Sequence, residues 1–193
     1  MTRRILIALS ITVAIPFIAC AEPQVEQTQP SGQAEAPVAV VQTTAAVQTD
    51  PAELLRNGKM PFAGVLVGGQ PTADQIRTLA SLGYGTVVNL RTLEEKDQTD
   101  PALVESLGMK YVVLPIGDPA TLNEQNAVKL AEILNDADAP VVVHCASGNR
   151  VGGLFALKAF YADGKTPEEA LAIGRDAGIT RIEPLIREKL GLE

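Results

Sequence analysis

The sequence predicts an α/β fold: a single domain in which helices flank a central, mostly parallel sheet of four or five strands. Short runs rich in valine and other β-branched residues alternate with amphipathic helical segments, an order typical of parallel sheets. The breaks between these segments carry glycine, proline or helix-capping residues. Residues 141–143 are all valine, and a strand this apolar is expected to be central and covered on both faces.

The individual elements follow from local signals along the chain. We expect strands at 65–67, 86–90, 111–114 and 141–144. We expect helices after capping boxes that begin at Thr72, Thr121 and Thr166, a short helix from Pro101, a helix that follows residue 150 with Leu154, Leu157 and Tyr161 on one side, and a last helix over 184–190. Each strand is thus followed by at least one helix.

Residues 1–19 have the layout of a signal peptide of the lipoprotein type. Arg3 and Arg4 precede an apolar run over 5–18, which is too short and wrongly flanked for an ordinary membrane span. The run ends at Cys20, which is the predicted lipid-attachment residue. We therefore expect an exported protein that contacts the membrane through its N-terminal lipid only.

The sequence leaves two locations open for the exported chain. Ala21 stands where an inner-membrane retention signal would place aspartate, so the periplasmic side of the outer membrane is favoured over the inner one. Ordinary cleavage after Ala21 is the alternative and would leave a soluble periplasmic protein. Residues 20–50, rich in Gln, Ala, Pro, Thr and Val, predict a flexible tether, and 51–193 predict the folded domain.

Charge and composition limit the partners. The net charge is −7, and no block of Lys and Arg is present to neutralise nucleic-acid phosphates, so no nucleic-acid partner is expected. An anionic ligand would have to be held by a local pocket rather than by the overall field. No metal cluster and no nucleotide-binding glycine fingerprint is visible, since the 64–69 segment has the wrong spacing, and we expect no cofactor.

The segment after the 141–144 strand predicts an anion-binding loop. It comprises His144, Cys145, Ala146, Ser147, Gly148, Asn149 and Arg150. The strand delivers Cys145 to the carboxyl edge of the sheet, where a helix begins and backbone N–H groups converge. The helix dipole and Arg150 favour the reactive thiolate, Gly148 lets the backbone curl, and His144, the only histidine, would hold the loop in shape rather than act as a base. The alternative is a small buried cysteine before an ordinary turn into a helix.

Three short motifs carry a family resemblance. Gly69-Gln70-Pro71, Val88-Asn89-Leu90-Arg91 and the 144–150 segment together resemble the dual-specificity and tyrosine phosphatase superfamily. They are most similar to the bacterial phosphatase-like domain found with β-lactamase-like hydrolases, some members of which are labelled sulfur transferases. The resemblance spans roughly residues 58–180 and implies a cysteine phosphatase-like fold.

The resemblance also implies roles for individual residues. Cys145 would attack phosphorus as nucleophile, Arg150 would clamp the oxyanion, and Asp118 would protonate the leaving group. Asp118 precedes a proline and is equally an ordinary turn former. Arg91 with Glu94-Glu95 is expected to form a solvated, salt-bridged surface, although Arg91 could also help to hold an anion. The implied partner is a small phosphorylated or sulfur-bearing anion, or a phosphoprotein.

Two departures from the phosphatase pattern keep other reactions open. Four residues separate Cys145 from Arg150 where phosphatases have five, and a shorter ring is typical of rhodanese-type sulfurtransferases. Val151 stands where phosphatases commonly place a hydroxyl that assists breakdown of the phosphoenzyme, so turnover is expected to be slow unless Ser147 substitutes. Three interpretations therefore remain: a phosphatase, a sulfurtransferase that uses a Cys145 persulfide, and a non-catalytic oxyanion-binding module.

Overall fold

The computed structural model describes residues 50–192. The predicted signal peptide (1–19), the lipid-attachment residue Cys20 and all but the last residue of the predicted tether (20–50) lie outside the described residues and stay predictions. No helix in the described part of the chain has the length and apolar character needed to cross a membrane.

A five-stranded sheet forms the centre of the domain. The strands are β1 (Lys59–Phe62), β2 (Val65–Gly68), β3 (Thr86–Asn89), β4 (Lys110–Val113) and β5 (Val141–His144). Their order across the sheet is β1-β2-β5-β3-β4. β1 pairs antiparallel with β2 at one edge, and the other three pairings are parallel. The predicted α/β fold with a mostly parallel sheet is confirmed.

Helices cover both faces of this sheet. They are α1 (Pro51–Leu54), α2 (Ala73–Ser81), α3 (Pro101–Ser106), α4 (Glu124–Asn135), α5 (Asn149–Tyr161), α6 (Pro167–Asp176) and α7 (Glu183–Lys189), with a 3₁₀ helix at Pro119–Thr121 before α4. Two core clusters result because successive strand side chains point to opposite faces. Val141 and Val143 belong to the cluster beneath α4, α5 and α6, and Val142 belongs to the cluster beneath α2 and α3.

The central position of β5 explains its composition. All four of its residues are buried, and it lies between β2 and β3, with Val142 beside Leu66 on one side and Val87 on the other. Because both faces are covered, no polar alternation is needed along the strand. β5 therefore ends in the middle of the carboxyl edge of the sheet, with the end of a neighbouring strand on each side.

Helix α5 is buried more completely than its sequence pattern predicts. Instead of one apolar side, every residue from Val151 to Leu157 is buried, while Tyr161 is exposed. A Cβ at Gly152 would lie 2.1 Å from Ile179 N and 2.7 Å from Gly174 O. The glycine therefore permits close contact with α6 and the turn that follows it.

The structure differs from the sequence prediction at one helix cap and at two short elements. Thr121 was expected to cap α4, but the N-cap is Asn123, whose side chain accepts from Asn126 N. Thr121 instead ends the 3₁₀ helix, which Asp118 caps. The capping boxes at Thr72 and Thr166 are present as expected. α1 and β1 were not predicted.

Candidate active site

Cys145 follows β5 directly, at the base of a loop that leads into α5. The residue is 1% exposed, and its Sγ accepts a hydrogen bond from Gly148 N at 3.2 Å. Gly148 is the N-cap of α5 and has a φ of +89°, in the left-handed region where a side chain would be strained. The glycine thus allows the loop to turn back so that its amide donates to the sulfur.

The outer side of the loop is fixed by neighbouring segments. Asn57 Nδ2 donates to Ser147 O at 3.0 Å, and Ser147 also forms an isolated bridge with Gly69. Asn149 Oδ1 accepts from the amide and the hydroxyl of Thr180, at 2.8 and 3.0 Å. Ala146 is exposed. These contacts tie the loop to the segment before β1, to the end of β2 and to the segment after α6.

Arg150 lies in the first turn of α5 and is held by a carboxylate from the loop after β3. Its Nη1 and Nη2 donate to the two oxygens of Glu95 at 2.7 and 2.8 Å, and Nη1 also donates to Ile116 O at 2.8 Å. The hydrogen bond from Arg150 is the main cause that lowers the pKa of Glu95 to about 2. The same bond raises the pKa of Arg150, and the Cys145 side chain contributes in the same direction. Glu95 was not predicted as a site residue.

Arg91 is an internal residue, which corrects the expectation of a solvated surface, while a contribution to anion binding stays a prediction. Its Nε donates to Glu95 Oε2 at 3.1 Å, its Nη1 donates to Gln70 Oε1 and Asp97 O at 2.8 and 3.0 Å, and its Nη2 donates to Lys96 O. The residue is 8% exposed. All three nitrogens of this guanidinium are engaged by the protein, and three of its partners belong to the loop that carries Glu95.

His144 is fully buried behind the loop. Its Nε2 lies 3.3 Å from Thr99 Oγ1, and its Nδ1 has no hydrogen-bond partner among the described residues. Burial lowers the pKa of His144 to about 4, an effect that the backbone of Cys145 partly offsets and that Arg91 and Arg150 reinforce. His144 is therefore neutral near pH 7.

A chain of hydrogen bonds joins His144 to Arg150 around the site. Its members, in order, are His144, Thr99, Gln70, Arg91, Glu95 and Arg150. Arg91 can only donate, so Gln70 accepts through Oε1 and donates through Nε2 to Thr99 Oγ1. The Thr99 hydroxyl hydrogen is then free to point at His144 Nε2. The chain thus links the three motifs that the sequence singled out.

Asp118 lines a cavity that Arg150 also lines. It is exposed, and its Oδ1 caps the 3₁₀ helix by accepting from Ala120 N and Thr121 N at 2.7 and 3.1 Å. Asp118 and Arg150 line the same cavity of about 200 Å³, with Ile116, Leu122 and other apolar residues. Oδ2 has no hydrogen-bond partner in the described part of the chain. The structure thus brings Asp118 to the cavity that Arg150 lines.

Among residues 50–192, no three His, Cys, Asp or Glu side chains are grouped closely enough to hold a metal ion. The chemistry that the arrangement can support is that of a thiol beside a fixed guanidinium, with a carboxylate at the edge.

The comparison with known families identifies the family of this chain. A family described as "DSP-PTPase phosphatase fused to NAD+ Kinase" matches residues 36–177. The chain belongs to this family. Its family membership and its fold agree with the resemblance of the three motifs to dual-specificity and tyrosine phosphatases.

Curated relatives of the family match at low identity and over part of their length. β-Lactamase hydrolase-like proteins of Xylella fastidiosa are 26% identical over 117 residues, which is 58% of this chain and 27% of the relative. One from Agrobacterium fabrum is 25% identical over 96 residues, 47% of this chain and 22% of the relative. The chain thus spans about a quarter of the length of the curated relatives it matches.

Solved structures share the fold. A candidate phosphatase from Neisseria meningitidis is 22% identical with a TM-score of 0.57, over 68% of this chain and 94% of the other. A candidate DUF442 phosphatase from Shewanella putrefaciens is 19% identical with a TM-score of 0.54, over 73% and 95%. At these identities the likeness shows the fold of the family and nothing about the substrate.

Proposed function

We propose that this family member is a cysteine-dependent phosphatase that hydrolyses a phosphomonoester through the Cys145 thiolate. The observation that supports it best is the pairing of Cys145 with Gly148 N–H at the base of the loop, while Arg150 is held beside it by Glu95. A thiolate, a converging amide and a fixed guanidinium are the groups that a phosphoryl anion requires.

The donors of Arg150 support this assignment. Of its five N–H bonds, two on Nη1 serve Glu95 and Ile116, and one on Nη2 serves Glu95. The Nε–H and the second Nη2–H have no oxygen partner among the described residues. These two lie on one edge of the guanidinium and form a two-point donor for two phosphoryl oxygens.

The proposed reaction has two steps. The Cys145 thiolate attacks phosphorus, the ester P–O bond breaks, and Asp118 gives its proton to the leaving oxygen, which departs as an alcohol. Water then attacks the thiophosphoryl group, Asp118 takes back a proton, and the S–P bond breaks to release inorganic phosphate and the thiolate. Arg150 stabilises the charge on the phosphoryl oxygens in both steps.

Sulfur transfer through a Cys145 persulfide is the second candidate, and the short loop favours it. Only four residues separate Cys145 from Arg150, and the sulfur is nearly inaccessible. A ring of this size suits a single terminal sulfur atom better than a tetrahedral phosphoryl group. The small anion that binds would then carry sulfur in place of phosphate.

One set of assays separates these functions. The full chain and its Cys145→Ser variant are tested for phosphate release from an aryl phosphate and for thiocyanate formation from thiosulfate and cyanide. We expect phosphate release that Cys145→Ser abolishes, and release that survives the substitution would contradict the proposal. Thiocyanate formation that depends on Cys145 would support the second candidate. Silence in both, with phosphate binding lost in Arg150→Ala, would indicate a non-catalytic module.

We also propose that the chain acts on the periplasmic side of the outer membrane, anchored through lipid on Cys20, on a small phosphorylated anion or a phosphoprotein. The basis is the apolar run over 5–18 that ends at Cys20. Labelling with a fatty-acid analogue should mark the wild type and not Cys20→Ala. A mature N-terminus at Glu22 would show ordinary cleavage instead.

A further inference from the structure

A second cavity, of about 510 Å³, opens beside the loop on the side of Ser147. Its walls come from the turn before β1, from the start of β1 and from the segment between α6 and α7. They include Arg56, Asn57, Lys59, Ser147, Thr180 and Arg181. We call this the basic cavity. Its volume lies within the range of about 300–1,000 Å³ typical of small-molecule sites.

The charge of the basic cavity is of one sign. Arg56, Lys59 and Arg181 are exposed, and within residues 50–192 no acidic side chain lines the wall and none of the three makes an ion pair. The chain as a whole has 23 acidic residues against 16 basic ones. Three unpaired cations around one concavity therefore oppose the general charge balance and create a local positive field.

The basic cavity is joined rigidly to the Cys145 loop. Asn57, in its wall, donates to the carbonyl of Ser147, and Thr180, also in its wall, donates twice to Asn149. The residue after Arg181, Ile182, lines the smaller cavity shared by Asp118 and Arg150. Residues of the 144–150 loop therefore line both cavities, Ser147 the basic cavity and Arg150 the cavity that Asp118 lines.

We propose that the basic cavity binds a second phosphate of the substrate, so that the preferred substrate is a small molecule with two phosphate groups. This inference rests on the proposed function for the phosphate that Cys145 attacks. A phosphate monoester carries a charge of about −1.5 to −2 at pH 7, which the three cations of the basic cavity are enough to neutralise. The volume of the cavity favours a small molecule over a phosphoprotein segment.

Binding to the full chain carrying Cys145→Ser tests the inference without turnover. The probes for calorimetry are 1,4-butanediol bisphosphate and 4-hydroxybutyl phosphate, which differ only in the second phosphate. We expect the bisphosphate to bind about tenfold more tightly or better, with a gain that shrinks as salt screens the charges.

Charge-neutralising variants show which residues cause the higher affinity for the bisphosphate. Arg56→Gln, Lys59→Gln and Arg181→Gln together should abolish it and leave monophosphate binding unchanged. The matched control, Arg77→Gln with Lys129→Gln and Lys165→Gln, removes the same charge from exposed positions on other surfaces and should keep the gain. Circular dichroism reports whether each triple variant is folded, and the three single variants, each with a partial loss, serve if the triple variant is not.

Several outcomes would overturn the inference. These are equal affinities for the two probes, no binding of either, a gain that persists in the Arg56, Lys59 and Arg181 variant, and a gain found only with a phosphopeptide flanked by acidic residues. Turnover of an aryl phosphate by the wild type reports on the proposed function separately. A bisphosphate gain without such turnover would contradict the phosphatase and keep the second site.

Discussion

Glu95 and Arg150 form a two-point ion pair although they lie 55 positions apart in the chain, with both carboxylate oxygens within 2.8 Å of the guanidinium. Glu95 also accepts from Arg91 and, through Oε1, from the amide of Thr92. The carboxylate thus lies between a buried arginine that shapes its loop and the arginine beside the thiol. Because this ion pair occupies Nη1 and one N–H of Nη2, the Nε–H edge of the Arg150 guanidinium remains available to a ligand.

Glu95→Gln should therefore lower the catalytic rate more than the substrate affinity. The amide has one acceptor oxygen where the carboxylate has two, so the two-point pair that orients Arg150 is lost, and we expect a loss of about 100-fold in kcat for aryl phosphate hydrolysis. Glu94→Gln is the matched control, since Glu94 is exposed and carries the same charge one position away. Similar kcat values for the two variants would show that the pair does not position Arg150.

The same pair makes stability dependent on acid. The folded-state pKa of Glu95 is about 2, below its ordinary value of 4.5, so the unfolded chain binds the proton more readily. Its stabilising contribution is fully present above about pH 4.5 and is lost as the pH falls toward 2. Urea unfolding at pH 7, 4.5 and 3 should show a smaller acid-induced loss in Glu95→Gln than in the wild type. Parallel pH curves would contradict this assignment.

His144 should titrate far below an ordinary histidine. Its pKa of about 4 results first from burial, and the chain has no other histidine, so its ring gives a single set of NMR signals. We expect a titration midpoint near 4 in the folded protein and no His144 limb in the pH–rate profile between pH 5.5 and 8. Because this pKa is lowered, unfolding takes up a proton as the pH falls from about 6.5 to 4, and stability decreases there. A midpoint near 6.5 would mean that the ring is hydrated.

Thr99→Val tests the middle of the hydrogen-bond chain. The substitution keeps the shape and removes the hydroxyl that contacts His144 and Gln70, so a buried ring nitrogen and a half-buried amide lose a partner. We expect a loss of about 1–3 kcal/mol in the free energy of unfolding, measured with urea. Thr86→Val is the control because Thr86 is also buried but its hydroxyl has no hydrogen-bond partner among the described residues. Equal losses of unfolding free energy in the two variants would show that Thr99 is not a stabilising member of the hydrogen-bond chain.

Asp118→Asn tests whether Asp118 acts as the general acid or only caps the 3₁₀ helix. Asparagine still caps a helix, so the fold should persist, but it cannot protonate a leaving group. We expect phenyl phosphate hydrolysis to slow by about 100-fold or more while an activated aryl phosphate is affected far less. Asp100→Asn, at the N-cap of α3, is the control for loss of charge at a capping position. Equal slowing of good and poor leaving groups would exclude Asp118 as the acid.

Much of the fold could be predicted because its signals are local. The valines of β5 and the capping box at Thr72 report their own structure within a few residues. The assignment of α4 to a cap at Thr121 was wrong because Asn123 offers a competing cap, and Asp118 recruits Thr121 into a 3₁₀ turn.

The site was predicted only where it is contiguous. The 144–150 segment forms one loop, so its residues were found together. Glu95 and Thr99 were missed because their partners lie on distant segments and nothing in their neighbourhood indicates burial. The sequence predicts a surface position for Arg91 because an arginine near two glutamates usually faces solvent. One partner that engages it inside the protein, Gln70, is 21 positions away.

The edge strand β1 has a consequence for self-association. Met60 and Phe62 expose apolar surface there, at 42% and 38%, on a strand whose outer edge pairs with no other strand of residues 50–192. Such an edge would ordinarily template strand addition and aggregation. Pro61 stands between them without an N–H to donate, and the pairing register shifts within the strand. Replacing Pro61 is therefore expected to promote intermolecular β-sheet growth without changing the hydrogen bonds around Cys145.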